Sequence, residues 1–235
     1  MKRILIIFIC LIALSVADFA QQKFIAGADF NSLIPVGSLT NRFQNTFTGS
    51  LYFGQQTSEK WTWVGRFEFF EFNDLNSDKL IKKINVTFNG KSTSYNVPLN
   101  KMKMNLTVAG LVAEGKYKLI NLDKFSTNVN LGFGIYNWKF KRNVYVDSIF
   151  VDTSGSGSLM NVENLNVPKL IQIDWSGGFN FGLDLVYELY QPIAFVFSAN
   201  YKLLVAELWP TLSLDLENVS GLQMLDLRAG FRVKF

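Results

Sequence analysis

The side chains that could carry acid–base chemistry in this chain are carboxylates, because the 235-residue sequence contains no histidine. Without an imidazole, no Ser-His-Asp triad, Cys-His pair or HExxH zinc site can form. Asp174, Asp184 and Glu188 fall on one face of a predicted strand. Because ten residues of extended chain span about 33 Å, only Asp184 and Glu188 could act as a pair. We expect these groups to form salt bridges, and we predict no catalytic, metal or cofactor site.

The composition narrows the class of protein further. Hydrophobic residues make up 49% of the chain and aromatic residues 15%, with 22 Phe, whereas charged residues make up 18%. An ordinary soluble domain has roughly 25% charged residues. The net charge of +4 is small and no basic run supports it, so nucleic-acid binding is not expected. The length suits a single domain of the all-β or barrel kind.

The first residues predict export from the cytoplasm. Lys2 and Arg3 precede an apolar stretch at 4–14, and small residues follow at 15–17. This order is typical of a secretory signal peptide, and the apolar stretch is too short to cross a bilayer core about 30 Å thick. We predict a signal peptide over residues 1–17, with cleavage as late as residue 20, and a mature domain over 18–235. The single Cys10 lies within the predicted signal peptide. No later apolar run reaches the roughly 18 residues of a transmembrane helix.

Alternation of apolar and polar residues with period two predicts β-strands along the rest of the chain. The last eleven residues place Leu225, Leu227, Ala229, Phe231, Val233 and Phe235 on one face, and Asp226, Arg228, Gly230, Arg232 and Lys234 on the other. A second segment alternates over residues 171–189, far beyond the usual 5–6 residues of a strand. Similar segments begin near Phe24, Phe47, Trp61, Met102, Val129 and Phe195. The pattern therefore predicts about eight strands.

The connections between these segments alternate in length. Short connections lie at 55–59, 121–125 and 190–192, and long ones at 35–45, 73–100, 143–168 and 209–221. Short turns on one side and long loops on the other are typical of outer-membrane β-barrels. Asn89-Gly90 predicts a hairpin in the second long connection. We expect it to extend beyond the membrane; inserted, it would make ten strands. A change of phase at Tyr136 predicts a bulge or emergence from the bilayer.

The alternation defines two faces whose orientation depends on the surroundings. A membrane barrel turns its apolar face to lipid and its polar face to the lumen, whereas a soluble barrel does the reverse. Because the interior of a small barrel is filled by side chains and an unpaired buried ion is costly, we predict a paired charge network in the lumen. Its predicted members are Arg66, Glu68, Asp174, Asp184, Glu188, Lys202, Asp226, Arg228 and Arg232. Aromatic residues at strand ends predict interfacial girdles, namely Trp61, Trp63, Tyr187, Tyr190 and Trp209.

The final eight residues, Arg228-Ala229-Gly230-Phe231-Arg232-Val233-Lys234-Phe235, resemble the C-terminal assembly signal of small, about eight-stranded bacterial outer-membrane β-barrel proteins. Ile34-Pro35-Val36-Gly37-Ser38-Leu39 is similar to the first-loop entry of that family. The resemblance implies a closed antiparallel up-and-down barrel in the bacterial outer membrane, in contact with its lipid. It also implies recognition by the barrel assembly machinery through Arg228, Gly230, Val233 and Phe235. We expect a monomer.

Three hypotheses for the function follow from the sequence. The first is a non-catalytic outer-membrane barrel with a structural or binding role, exerted through long extracellular loops on an unidentified ligand or protein. The second is a narrow, porin-like channel, although eight strands leave little room in the lumen. The third is a soluble exported barrel that binds an apolar ligand, as lipocalins do.

Overall fold

The computed structural model describes residues 23–88, 90–152, 157 and 159–235, so the predicted signal peptide and Cys10 lie outside it. The described residues form twelve β-strands and two short 3-10 turns. The strands are β1 (Lys23–Val36), β2 (Thr46–Gln56), β3 (Trp61–Phe72), β4 (Ile81–Phe88), β5 (Lys91–Pro98), β6 (Met104–Asn121), β7 (Phe125–Arg142), β8 (Tyr145–Asp152), β9 (Leu159–Val167), β10 (Leu170–Tyr190), β11 (Ile193–Leu208) and β12 (Val219–Lys234). The 3-10 turns are Gly37–Asn41 and Leu212–Leu214. In the part of the chain that the structure describes, no helix has the length and apolar character to cross a membrane.

Eight of the strands close into an antiparallel barrel in the order β1-β12-β11-β10-β7-β6-β3-β2. The ring closes where β1 pairs with β12, from Ile25 opposite Lys234 to Val36 opposite Gln223. Strand lengths of 11 to 21 residues agree with the long alternating segments of the sequence. The predicted closed, eight-stranded up-and-down barrel is confirmed.

The other four strands form two hairpins outside the barrel. The β4–β5 hairpin is the one that Asn89-Gly90 predicted, although Asn89 itself lies outside the described residues, and the ten-stranded alternative is wrong. The β8–β9 hairpin occupies a connection in which the sequence predicted only a loop. Its register shifts between Ile149 and Phe150, and this irregularity interrupts the alternation that would have indicated a strand pair.

The two ends of the barrel differ in the length of their connections. At one end, the short-turn end, β2 joins β3, β6 joins β7 and β10 joins β11 through residues 57–60, 122–124 and 191–192. Phe24 and Phe235 lie at this end as well, where the Phe24 amide donates to the Phe235 carbonyl at 2.7 Å. The opposite, long-loop end carries both hairpins and both 3-10 turns. The predicted alternation of short and long connections is therefore confirmed.

The outward face of the barrel is apolar over much of its height. The inward face carries most of its charged side chains in the half nearer the short turns and is mainly apolar in the other half. Strand β7 shows the change: Leu131 and Phe133 point outward and Asn130 inward, whereas farther along Tyr136 and Trp138 are buried inside. The strand keeps an unbroken register with both neighbours across this point. The bulge predicted at Tyr136 is therefore wrong. From this residue on, the inward face becomes apolar and the outward face becomes polar, as expected where a strand leaves the bilayer.

The inner half nearer the long loops belongs to an apolar cluster that continues into the loops. Met104, Leu106 and Val108 of β6 point into the barrel and not to lipid. Residues of the loops and hairpins pack onto them and complete the cluster, including Leu39, Phe43, Leu80, Leu99, Ile149, Leu165 and Leu214. We call this part of the molecule, loops and hairpins included, the loop cap.

Replacing Leu131 by arginine tests the lipid-facing surface. Leu131 is 65% exposed and lies in the middle part of β7, so Leu131→Arg should lower the free energy of unfolding in lipid vesicles by about 2–4 kcal/mol. Leu119, 55% exposed near the short-turn end, is the matched control, and Leu119→Arg should cost only about 0–1 kcal/mol because water reaches that depth. Urea titration followed by tryptophan fluorescence measures both. Equal losses would show that the outward face does not meet lipid.

Candidate functional site

The polar half of the lumen contains nine charged side chains, each no more than 8% exposed. We call them the lumen network. Its carboxylates are Asp29, Glu68, Glu114, Asp184 and Asp226, and its cations are Arg66, Lys116, Lys202 and Arg228. They extend from β1, β3, β6, β10, β11 and β12, whose inward positions alternate with lipid-facing ones. Five carboxylates face four cations, so the formal charge of the network is −1.

Glu114 occupies the centre of this network. Its Oε1 atom accepts hydrogen bonds from Arg66 Nε at 3.1 Å, from Arg228 Nη1 at 3.0 Å and from Asn180 Nδ2 at 2.9 Å. Lys116 Nζ lies 3.6 Å from its other oxygen. One carboxylate therefore joins two guanidinium groups that would otherwise repel each other in a space from which water is excluded.

Two branches extend from the centre. On one side, Arg228 contacts Glu68 at 3.0 Å and Asp226 at 2.8 Å, and Lys202 contacts the same two carboxylates at 2.6 and 3.0 Å. On the other side, Lys116 Nζ lies 2.7 Å from Asp184, which also accepts a hydrogen bond from Asn130. Every cation of the network is therefore in contact with at least one carboxylate, as buried charges require.

Six of the nine predicted network residues come together in the structure: Arg66, Glu68, Asp184, Lys202, Asp226 and Arg228. Glu188 and Arg232 form a separate ion pair of 2.7 Å near the short-turn end, where Glu188 is 36% exposed. Asp174 is exposed and takes no part in the network, so its predicted lumen position is wrong. Its Oδ1 atom instead accepts a hydrogen bond from the Trp175 backbone amide.

Three members of the network were not predicted, namely Asp29, Glu114 and Lys116. Asp29 already alternated with the apolar residues of the first predicted strand. Glu114 and Lys116 lie on the inward face of β6, in phase with Met104 and Val108. Because Met104 and Val108 are apolar, the sequence indicated that this face of β6 meets lipid, and Glu114 and Lys116 were not assigned to the lumen.

Asp184 and Glu188 do not act as one carboxylate pair in the structure, because Asp184 contacts Lys116 and Glu188 contacts Arg232. Among the described residues, no group of three acidic or sulfur ligands is placed to hold a metal ion. The lumen network instead fills the barrel cross-section, since an eight-stranded barrel is just wide enough for its side chains.

The loop cap is held together by polar contacts around its apolar cluster. The buried Arg42 donates through Nη2 to the carbonyls of Trp209 at 3.1 Å and Glu217 at 2.7 Å. Burial, with the nearby charge of Arg142, lowers the pKa of Arg42 to about 10. Lys82 donates to the Ser213 carbonyl at 2.8 Å. These bonds join the first and last long loops to the first hairpin.

The two hairpins are also joined to each other and to the barrel. Tyr95 of the first hairpin donates to the Asp152 carbonyl of the second at 3.2 Å. Lys101, just before β6, contacts Asp147 of β8 at 2.7 Å. The hydrogen bond from Lys101, assisted by one from Tyr145, lowers the pKa of Asp147, and burial raises the pKa of Tyr145 to about 12. The hairpins thus form one folded body with the loops.

The residues on the outward and inward faces distinguish a transmembrane barrel from a soluble one. Large apolar side chains cover the outward face, and ion pairs fill half of the interior. A soluble barrel of the lipocalin kind has the opposite arrangement, so this chain has the two faces of a transmembrane barrel.

Comparison with known proteins gives the same architecture. No protein-family model matches the chain, and no curated protein sequence matches it significantly. Among solved structures, a major outer membrane protein from Thermus thermophilus aligns with 91% of this chain and 99% of its own, with TM-score 0.53 and 12% identity. Neisserial surface protein A aligns with 90% of this chain and 97% of its own, with TM-score 0.47 and 12% identity. OprG from Pseudomonas aeruginosa aligns with 91% of this chain and 95% of its own, with TM-score 0.42 and 13% identity.

The fold and its two faces define the class: this is a transmembrane β-barrel of the bacterial outer-membrane type. Within that class it belongs to the small barrels of eight strands, as the resemblance of residues 228–235 implied.

Removing the central carboxylate tests the lumen network. Glu114→Gln keeps the shape of the side chain but leaves Arg66 and Arg228 without their shared counter-ion, so we expect the free energy of unfolding in vesicles to fall by about 3–5 kcal/mol. The matched control is Glu188→Gln in the partly exposed pair, where the loss should be about 0–1 kcal/mol. If the two variants lost the same stability, the lumen network would not be a dry, connected unit.

The contact between Lys101 and Asp147 makes the second hairpin sensitive to acid. The pKa of Asp147 is lower in the folded protein than in the unfolded chain, so its stabilising effect is complete above the ordinary aspartate pKa of about 3.9 and is lost as the pH falls through the lower folded value. Hydrogen-exchange protection of β8 and β9 should therefore decrease as the pH falls below about 4. In Asp147→Asn the protection at neutral pH should already be lower, by no more than about fivefold because Lys101 is 69% exposed, and this step should be absent. An unchanged acid step in the variant would assign it to another group.

Proposed function

We propose that this protein is a non-catalytic barrel of the bacterial outer membrane that presents its loop cap to the outside for binding. The observation that carries the proposal is the folded state of the long connections. They form two β-hairpins with a shared apolar cluster and polar contacts, including Tyr95 with Asp152 and Lys82 with Glu163 at 3.3 Å. Long loops that are ordered on a rigid scaffold are typical carriers of binding function. By analogy with other barrels, these loops face the outside and the short turns face the periplasm.

The surface of the second hairpin is the best candidate for contact with a partner. Val146 and Phe150 of β8 are exposed, and Leu159 lies across from Asp152 at the far end of the hairpin. Asparagine side chains lie beside them on β9, at 161, 164 and 166. Exposed apolar groups rimmed by polar ones are a usual composition of binding surfaces. The partner is expected to offer an apolar contact together with hydrogen-bonding groups for the amides.

The interior argues against the alternative of a narrow channel. Arg66, Glu114 and Arg228 are in direct contact across the lumen, and the loop cap covers the other half. A steady ion current would require breaking buried ion pairs, which costs several kcal/mol. The soluble lipocalin-like alternative is disfavoured by the outward apolar face, which would be exposed to water in the periplasm.

The assembly partner is proposed on a separate basis. Gly230 and Val233 lie in β12, the strand that closes the ring against β1. A closing strand must find its partner before the barrel is complete in lipid. We therefore propose that the barrel assembly machinery recognises Arg228, Gly230, Val233 and Phe235. We also propose that the protein is a monomer.

Planar-bilayer recording and a binding array test the function. The reconstituted protein should give no steady conductance, and so should a variant in which residues 81–98 and 145–167 are replaced by short turns, because the lumen network remains. On an array of glycans and extracellular proteins, nanodiscs carrying the protein should bind a subset of spots. Val146→Ser with Phe150→Ser should lose that binding at least tenfold.

The matched control is Leu51→Ser with Phe53→Ser on the lipid-facing surface of β2, which should leave the array pattern unchanged. Heat-modifiable migration on gels shows that each variant is folded. A steady current through the protein would contradict the proposal. So would an array on which the protein and the hairpin-deleted variant behave identically.

A further inference from the structure

The barrel wall is not paired along its whole height between β10 and β11. Strand β10 pairs with β7 from Leu170 to Tyr187, but it pairs with β11 only from Gly178, opposite Leu204, toward the short-turn end. An unbroken register would place Ser176 opposite Ala206, and no such pair forms. The register of β11 with β12 also shifts just after Leu204. The two strands therefore separate in the half nearer the long loops, and we call the gap the wall opening.

Side chains replace the missing backbone ladder around this opening. Gln172 reaches from β10 across to β11, where its Nε2 donates to the Glu207 carbonyl at 3.4 Å and its Oε1 accepts from the Trp209 amide at 3.1 Å. Asp174 accepts a hydrogen bond from the amide of Trp175 at 2.8 Å. The opening is thus bounded by the Gly178–Leu204 pair on one side and by Gln172 on the other. Some backbone groups along its edges therefore have side-chain hydrogen-bond partners, as expected of a stable part of the fold.

A cavity of about 740 Å³ lies in the wall at this point. Its outer rim includes Trp175 and Val205, which are 68% and 62% exposed on the lipid-facing surface. Its inner end is lined by Trp138 and Ala206, which belong to the apolar cluster of the loop cap. The cavity therefore connects the outside of the barrel wall with its apolar inner half, and its volume lies within the range of about 300–1,000 Å³ typical of small-molecule sites.

Two polar atoms in the lining lack a hydrogen-bond partner among the described residues: Trp138 Nε1 and Ser176 Oγ. Trp138 is only 4% exposed, and burying an N–H donor without an acceptor costs about 1–3 kcal/mol. A bound molecule with an acceptor oxygen would satisfy this donor. The charged residues of the lining, Asp174 and Glu207, are both acidic. Their charge disfavours a ligand with an anionic end.

The level of the opening indicates where a ligand enters. Unpaired strand edges are not tolerated in the hydrocarbon core, so the gap belongs at the interface with the outer leaflet. Trp175 and Trp209 flank it, and tryptophan is enriched at that depth. An apolar molecule dissolved in the leaflet would meet the opening from the side, because the loop cap covers the barrel from above.

We propose that the wall opening is a binding site for a neutral, elongated apolar molecule with one hydrogen-bond acceptor, such as a long-chain alcohol or ester. Its oxygen lies between Trp138 and Ser176, and its chain runs outward past Ile173 and Val205 into the outer leaflet. This site is separate from the hairpin surface, and the proposal does not rest on the binding role of the loop cap.

The indole N–H resonances of the protein in nanodiscs test the proposal. The sequence has 5 Trp, so the amide correlation spectrum should contain five indole signals. The signal that is missing in Trp138→Phe is that of Trp138. Titration with 1-dodecanol should move the Trp138 signal downfield with saturation, because its N–H gains an acceptor. Dodecane at the same mole fraction should give no such shift. Ser176→Ala should weaken the apparent affinity for dodecanol by about 2- to 10-fold, the effect of one hydrogen bond.

Filling the cavity supplies the second arm of the experiment. Ala206→Phe should abolish the dodecanol shift while the spectrum remains dispersed, and Ser176→Val is the substitute if that variant does not fold. Trp61 and Trp63 pair together on the distant strand β3 and report general partitioning into the nanodisc. A stationary Trp138 signal would overturn the proposal. A parallel movement of all indole signals would also overturn it, as would filled variants that titrate like the parent protein.

Discussion

The structure depends on one constraint: within a bilayer, backbone N–H and C=O groups have no water to bind and must be paired inside the protein. Only a closed ring of strands meets this condition with β-structure, and the pairing of β1 with β12 completes it. Closure by eight strands then sets the width of the lumen. The wall opening is where this rule is relaxed, and there the side chains of Gln172 and Asp174 take over part of the pairing.

The narrow lumen explains why the interior is ionic and why some inward positions are glycine. Glu114 contacts both Arg66 and Arg228 directly, at 3.1 and 3.0 Å. A Cβ atom at Gly132 would lie 2.0 Å from Asn180 Oδ1, and one at Gly110 would lie 2.3 Å from the Tyr136 ring. Glycine at these positions makes room for larger side chains opposite. The charges thus face one another across a space that their neighbours leave open.

The sequence predicted the strands well because period-two alternation is local. Partners in the lumen depend on strand tilt and stagger, which join residues as distant as Glu68 and Arg228, 160 positions apart. Glu114 was missed for a related reason, since the inward face of β6 changes from apolar to charged along one strand. Asp174 was placed in the lumen by its phase, yet the wall separates there and its carboxylate turns to the Trp175 amide. The failed prediction thus falls at the wall opening.

The apolar inner half accounts for the fold of the long loops. If the loops were open, water would hydrate Tyr136, Trp138 and Phe140, which are buried on the inward face of β7. The free energy of burying such surfaces, about 25 cal/mol per Å², favours loops that fold down onto them, and Arg42 holds the first loop to the last. This apolar inner half is then closed by the long loops and hairpins on one side and by the lumen network on the other. The wall opening connects this apolar interior with the lipid-facing surface, and it leads to the unpaired Trp138 donor.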